Sequence, residues 1–191
     1  MFGALWGAVE VALGSYLHLI LPPQADTFFI GVLMGATGAA IALTGRHFVP
    51  QRGSLFFIGV VATLLKLLAS PGGIKTGPVV AIMAEAVLME AALWFGAAGW
   101  NFGLGGALAV GWSLPHKFIM MRLLFGKGFT QVFNKMVQDG SATLGWDTSA
   151  AWLILAVLLL VRLVAGAFGG WMAWKLGSAV ARRLGRHATA A

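Results

Sequence analysis

Most of this chain is apolar enough to lie in a lipid bilayer, yet nine ionisable side chains fall inside its apolar runs. Only 10% of the 191 residues are charged, whereas a soluble domain carries about 25%. Charges inside a membrane are costly, so they usually face a protein interior or a water-filled cavity and serve a function. The nine are Glu10, His18, Lys66, Glu85, Glu90, His116, Lys117, Arg122 and Arg162. The composition therefore predicts a membrane protein whose site is built from some of these residues.

Six apolar runs are long enough for transmembrane helices, which need about 20 residues each. The predicted spans are 2–21, 27–45, 55–69, 78–97, 104–125 and 150–174. These runs are too long and too continuous for the alternating strands of a membrane barrel. The first run lacks a basic leading segment and a convincing cleavage site, so we expect a retained span. The sequence predicts a single all-α domain, a six-helix transmembrane bundle formed by residues 1–191.

The basic residues of the connecting segments predict the orientation of this bundle. One side carries six of them: Arg46, Arg52, Lys175, Arg182, Arg183 and Arg186. The other side carries three: Lys75, Lys127 and Lys135. Cytoplasmic loops are enriched in Lys and Arg, so both termini are predicted to be cytoplasmic. The basic, amphipathic tail 175–191 is expected to contact anionic headgroups of membrane lipids.

The longest connection, 126–149, contains apolar residues at helical spacing with polar residues between them. The apolar positions are Phe129, Val132, Phe133, Met136 and Val137. This pattern predicts an amphipathic helix at the outer membrane surface. It is either a lid over a binding site or an ordinary interfacial helix.

In this topology most of the ionisable groups converge on the outer half of the bundle. The cations Lys66, Lys117 and Arg122 favour an anionic or zwitterionic small molecule. These cations are accompanied by hydrogen-bonding groups. Aromatic and methionine side chains in the same region can cover a flat ring of the ligand. The predicted substrate-binding residues are His18, Lys66, Glu85, Met89, Trp112, His116, Lys117, Arg122 and Trp152.

Several of these residues also have a structural interpretation. Lys66 and Glu85 are alternatively a buried structural ion pair, and Arg122 alternatively extends towards the membrane surface. Arg162 lies in an unbroken Leu/Val run, and we expect it to need a carboxylate partner, either Glu10 or Glu90.

Motifs for other classes of function are missing. The chain has no nucleophile elbow, no P-loop and no His-Glu-x-x-His motif, and its four histidines lack metal-ligand spacing. It contains no cysteine, and its basic residues are scattered between apolar runs instead of forming a stripe for nucleic acid. We therefore predict no enzyme activity, no cofactor, no resident metal and no nucleic-acid partner.

The first span carries small residues four apart, at Ala4, Ala8 and Ala12, a spacing that lets another helix approach closely. A turn with the sequence Ser-Pro-Gly-Gly-Ile-Lys-Thr-Gly-Pro occupies 70–78. Together with six short-looped helices in under 200 residues, these features resemble the substrate-binding S component of energy-coupling factor (ECF) transporters. In that family the Ala-rich face of the first helix contacts a transmembrane coupling protein, which is driven by two cytoplasmic ATPases.

The resemblance implies a subunit of the prokaryotic inner membrane that captures a vitamin-like nutrient from outside. Its docking face would be Ala4, Ala8 and Ala12; internal packing of the bundle is the alternative use of this stripe. Two other functions remain open. One is a carrier that works alone by ion or proton coupling, with Glu10, Glu85 and Glu90 as titrating groups. The other is a noncatalytic subunit of a larger membrane complex.

Overall fold

The computed structural model describes residues 1–20, 29–69, 76–126 and 128–188, and this part of the chain contains α-helices and no strand. The prediction of an all-α protein is confirmed. The helices are α1 (Phe2–Ile20), α2 (Gly31–Phe48), α3 (Ser54–Leu68), α4 (Thr76–Leu93), α5 (Gly99–Phe125), α6 (Phe129–Leu144) and α7 (Ala151–Ala188). Lys75, Lys127 and the turn 70–75 lie outside the described residues.

Two helical segments of the described chain are long and apolar enough to cross a membrane. They are α4 and Thr148–Arg183, which combines a short 3-10 helix with most of α7. The apolar stretches of α1 and α3 are shorter. This supports the prediction of a membrane protein at the level of helix length and composition.

Helix α7 does not end at the predicted limit of the last span but continues through 38 residues to Ala188. A helix of that length extends about 57 Å at 1.5 Å per residue. The hydrocarbon core of a bilayer is only about 30 Å thick, so the basic segment after Lys175 prolongs the helix beyond it. The tail is therefore a continuation of α7 and not a separate element.

Helix α2 is the centre of the bundle, because it packs against α1, α3, α4, α5 and α7. Its small residues allow this crowding. Gly38 lies directly against the indole of Trp6, and a Cβ added at Gly45 would approach Phe2 to 2.8 Å. Ala39 and Ala42 are fully buried in the same core.

The most extensive helix contact joins α5 and α7, and glycine makes it possible. A Cβ added at Gly106 would collide with the carbonyl oxygen of Gly166, and one at Gly170 would collide with that of Phe102. The two backbones therefore touch without intervening side chains, as in other membrane helix pairs with small residues four apart.

The beginning of α1 and the later part of α7 lie at the same end of the bundle. The ring of Phe2 stacks on Phe48 at the end of α2, with 5.9 Å between the centroids. Gly177 of α7 packs against His47 of the same turn. Arg52 lies over the Trp94 ring at 4.6 Å and joins the loops that follow α2 and α4.

Helix α6 connects α5 to α7 at the other end of the bundle and packs against both. Its apolar face is buried: Val137 packs with Ile154 and Leu158 of α7. Asp147 follows in the connection and accepts a hydrogen bond from the backbone N–H of Ser149 at 2.7 Å. This bond lowers the pKa of the Asp147 carboxyl below its ordinary value.

Candidate functional site

A buried ion pair lies between α1 and α3. The ammonium Nζ of Lys66 is 3.6 Å from Oε2 of Glu10. It also donates a hydrogen bond to the Glu10 carbonyl oxygen at 2.7 Å. Gly14 lies one turn further along α1, where a Cβ would come within 3.0 Å of Nζ. A glycine at this position therefore leaves room for the ammonium group beside α1.

Glu85 of α4 lies close to this pair but does not take part in it. Its side chain faces α2, with Oε1 3.8 Å from the position that a Cβ on Gly35 would occupy. The residue is only 6% exposed, and its carboxylate is close enough to Glu10 for the charges to interact. Among the residues that the structure describes, no hydrogen bond or ion pair to this carboxylate is seen. The structural alternative of a Lys66–Glu85 ion pair is wrong, because Lys66 extends towards α1 while Glu85 faces α2.

Two unpartnered polar groups belong to the same interior. The indole Nε1 of Trp6 is buried and approaches Glu10, but the geometry falls short of a hydrogen bond. The hydroxyl of Thr63, one turn before Lys66 on α3, is also buried and has no partner in the described part of the chain. We call Trp6, Glu10, Thr63, Lys66 and Glu85 the interior polar cluster.

Met89, predicted to cover a ligand ring, is instead fully buried in the hydrophobic core with Ala86 and Leu93. It lies one turn from Glu85 on α4, towards the end of the bundle that holds the chain termini. Its structural role is packing between α4 and its neighbours.

Trp112 and His116 form a second group on α5, one turn apart, with ring centroids 6.1 Å apart. The imidazole of His116 approaches the backbone of Gly77 at the beginning of α4. Trp112 Nε1 and His116 Nδ1 are both buried and lack hydrogen-bond partners among the described residues. Lys117 follows in the same helix and is half-buried.

The remaining predicted residues lie apart from both groups. Arg122 is exposed near the end of α5. Trp152 is 77% exposed and its ring packs against Phe133 of α6 at 5.2 Å. The side chain of His18 lies outside the described part of the chain. In the described part, the nine predicted residues therefore do not line one continuous cavity.

A cavity of about 260 Å³ lies between α6 and the beginning of α7. Its walls are Phe133, Asn134, Val137, Gln138, Thr148 and Ala151. The lining side chains are neutral, and its amides and hydroxyl can donate and accept hydrogen bonds. Sequence analysis missed this cavity, although the amphipathic pattern of 126–149 indicated the helix that forms one wall.

Arg162 of α7 is 3% exposed and binds neutral groups on α5 and on its own helix. Its Nε donates to Oγ of Ser113 at 3.0 Å, and Nη1 donates to the Leu158 carbonyl oxygen at 3.1 Å. The expected partners, Glu10 and Glu90, contact other cations. A pairing of Arg162 with either glutamate is therefore not seen among the described residues, where α7 packs mainly against α5 and α2.

Glu90 has a structural role at the opposite end of the bundle. Its carboxylate accepts hydrogen bonds from the backbone N–H of Gly53 at 2.8 Å and of Leu55 at 3.0 Å. It also lies 3.6 Å from Nη2 of Arg46. A carboxylate at the first turn of a helix is favoured by the helix dipole, so Glu90 fastens α2 and α4 to the beginning of α3.

Helix α1 presents two different faces. Its glycines Gly3 and Gly7 lie against α3, where an added Cβ would approach Val61 and Leu65. Three residues of the opposite face are exposed, and these are Ala4, Ala8 and Ala12. The predicted small-residue stripe is therefore not used for packing inside the described bundle.

No protein-family model matches this chain, and no curated protein or solved structure is significantly similar to it. The functional argument accordingly depends on the residues and their placement. Three features carry it: the interior polar cluster, the exposed face of α1, and the aromatic and cavity-forming residues at the α6 end.

Proposed function

We propose that this protein is a membrane-embedded substrate-capture subunit, similar in role to the S component of ECF transporters. It spans the prokaryotic plasma membrane six times with both termini in the cytoplasm. It takes up a small, vitamin-like nutrient, anionic or zwitterionic, with energy from a separate coupling protein and its ATPases. The observation that carries this proposal is the exposed stripe of Ala4, Ala8 and Ala12 on α1.

The stripe supports docking because its face has no use within the described bundle. Small residues four apart allow helix backbones to approach closely in a membrane, where packing and not the hydrophobic effect drives association. A lipid-facing surface gains nothing from alanine over leucine or valine. The larger apolar side chains at exposed positions of other helices, such as Val87 and Leu160, fit lipid contact better.

Substrate capture is assigned to the α6 end of the bundle. Trp112 and His116 bring buried, unpartnered donor or acceptor atoms to this end, and α6 lies across it. The cavity between α6 and α7 and the rings of Phe133 and Trp152 lie beside them. Small-molecule sites commonly combine such apolar walls with a few convergent polar groups.

The docking face is tested by exchanging Ala8 for Trp. The affinity-tagged wild-type protein, extracted from its native membranes in mild detergent, should retain a second membrane protein and two ATPases in fixed stoichiometry. Ala8→Trp should lose at least nine-tenths of them because the indole separates the two helices. The matched control is Val87→Trp, which adds the same ring at an exposed position of α4.

Equal recovery of the ATPases with Ala8→Trp and with the wild type would contradict the docking face. Substrate capture is tested separately, by mass spectrometry of small molecules released when the purified protein is denatured. A single compound recovered near one equivalent supports capture. If no compound is released from protein purified without added nutrients, and the protein binds no member of a vitamin panel, substrate capture is contradicted.

The interior polar cluster favours a second candidate, a carrier coupled to ions or protons that works alone. Buried carboxylates inside a membrane bundle are typical of proton relays. Uptake by cells that lack any ATPase module, abolished by dissipating the proton gradient, would favour this candidate. Uptake that requires the module would favour the capture subunit.

A further inference from the structure

Two buried carboxylates and one ammonium group lie in the interior of the bundle, on three different helices. Glu10 of α1 pairs with Lys66 of α3. Glu85 of α4 lies beside Gly35 of α2, one turn from Gly38, which contacts Trp6 of α1 one turn before Glu10. We propose that Glu10, Lys66 and Glu85 form a binding site for a single proton. The proposed proton site does not depend on the docking face. It concerns whether a proton is bound inside the bundle, whereas docking concerns the source of transport energy.

Several other ionisable groups of the described chain have contacts elsewhere. On α2 Glu85 lies beside Gly35, whose position also adjoins Val110 of α5. The nearest ionisable residue of α5 is His116, about 9 Å further along that helix, where it approaches Gly77. Arg162 of α7 donates to Ser113 on α5, and Glu90 is bound at the other end of α4.

The charges of these three groups, taken by themselves, do not balance. With all three groups ionised, two negative charges face one positive charge, and the sum is −1. An uncompensated charge in a low-dielectric interior costs several kcal/mol. Two carboxylates that share one site avoid this cost when one of them holds a proton.

The contacts favour a proton over a larger cation. Oε1 of Glu85 lies 3.8 Å from the position that a Cβ on Gly35 would occupy, so the space between this oxygen and α2 is about that of one methyl group. Metal cations bound through oxygen require about six ligands, whereas the cluster offers two carboxylates and the Thr63 hydroxyl. A proton needs one carboxylate oxygen only.

Glu85 is the carboxyl that holds the proton. Lys66 binds Glu10 through both its carboxylate and its carbonyl oxygen, which favours the ionised form of Glu10. The cluster contains two further donors without hydrogen-bond partners among the described residues, Trp6 Nε1 and the Thr63 hydroxyl. These donors can transiently stabilise the site after Glu85 has lost its proton. Because Glu10 and Glu85 lie on different helices, movement of α1 relative to α4 changes their repulsion and thus the proton occupancy.

Infrared spectroscopy of the purified protein in lipid nanodiscs tests the site. The C=O stretch of a protonated carboxyl, shifted by exchange into D₂O, should be present at pH 7 in the wild type. It should be absent in Glu85→Gln and retained in Glu90→Gln, whose carboxylate is already compensated. In Lys66→Met both interior carboxyls must be neutral, so the band should grow about twofold.

Three results would overturn the proposal. A wild type without the band at pH 7 has both carboxylates ionised. A band that survives in Glu85→Gln and disappears in Glu90→Gln belongs to a different carboxyl. A band that disappears when sodium or potassium is added at constant pH shows that an alkali cation, and not a proton, supplies the positive charge. If Lys66→Met does not fold, the proposal is decided by comparing the carboxyl band of Glu85→Gln with that of Glu90→Gln.

Discussion

The glutamates at positions 10, 85 and 90 have different binding partners, although all three are the same residue type. All three lie within apolar runs, and Glu10 and Glu90 even begin similar tetrapeptides. Glu90 binds two backbone N–H groups and Arg46. Glu10 binds Lys66, and Glu85 has no comparable bond in the described part of the chain. Only Glu85 is therefore left to serve proton binding, whereas Glu90 stabilises the fold.

We expect Glu90→Gln to lower the free energy of unfolding by about 1.5–3 kcal/mol, the usual contribution of hydrogen bonds to a charged group. The amide retains one acceptor oxygen but loses the ionic attraction to Arg46. Reversible unfolding in mixed detergent micelles measures the change. Asp139→Asn is the control, because its contact with Lys135 at 3.7 Å joins residues four apart in one helix, and the lysine is exposed. Such pairs contribute only about 0.3–0.5 kcal/mol. Equal losses in the two variants would contradict the role of Glu90.

Among the helix pairs, the packing of α5 against α7 depends most on glycine, because the two backbones touch where side chains are absent. At Gly106 and Gly170 an added Cβ would collide with the backbone of the other helix. At Gly103, on the same face of α5, a Cβ would lie 3.6 Å from the Ala167 carbonyl oxygen, an ordinary contact. This face of α5 thus contains one position that requires glycine, Gly106, and one that does not, Gly103.

Gly106→Ala should therefore destabilise the protein by about 1–3 kcal/mol, the usual cost of overpacking. Gly103→Ala should be neutral or should stabilise it by about 0.4–1 kcal/mol, because alanine restricts the unfolded chain. Thermal unfolding of the two variants, followed by circular dichroism, provides the comparison. Equal melting temperatures would mean that α5 and α7 do not touch backbone to backbone.

In the molecule as a whole, the contacts place different features at the two ends of the helix bundle. One end holds the beginning of α1 together with Arg46, Arg52 and Glu90, and α6 lies at the other end. The polar cluster lies between them, beside the central helix α2. This arrangement agrees with the proposed topology, in which cytoplasmic docking and external capture occupy opposite ends of one bundle.

Single cysteines test this topology without interference, because the native chain contains none. In intact cells, Lys135→Cys on α6 should react with a membrane-impermeant maleimide, whereas Arg52→Cys should react only after permeabilisation. Both positions are exposed, so accessibility within the protein does not limit labelling. Labelling of both variants from the same side would exclude the six-span topology.

The local character of the chain could be predicted from its residues alone. An apolar segment in lipid must satisfy its backbone hydrogen bonds internally, and this requirement produces helices wherever the apolar runs occur. The alternation of apolar and polar residues in 129–138 likewise indicated the amphipathic helix α6. These features depend only on neighbours in the sequence. The continuation of α7 beyond its apolar run was missed, because the end of hydrophobicity was equated with the end of the helix.

The partners of the buried charges were decided by the tertiary structure. The composition predicts that Lys66, Arg162 and the glutamates must be satisfied inside the bundle, but it does not reveal which groups meet. That depends on which helices adjoin and on how each is rotated, and the close glycine contacts of α1, α2, α5 and α7 contribute to both. These contacts join residues distant in sequence, which is why Lys66 meets Glu10, Arg162 meets Ser113, and Glu85 faces a glycine.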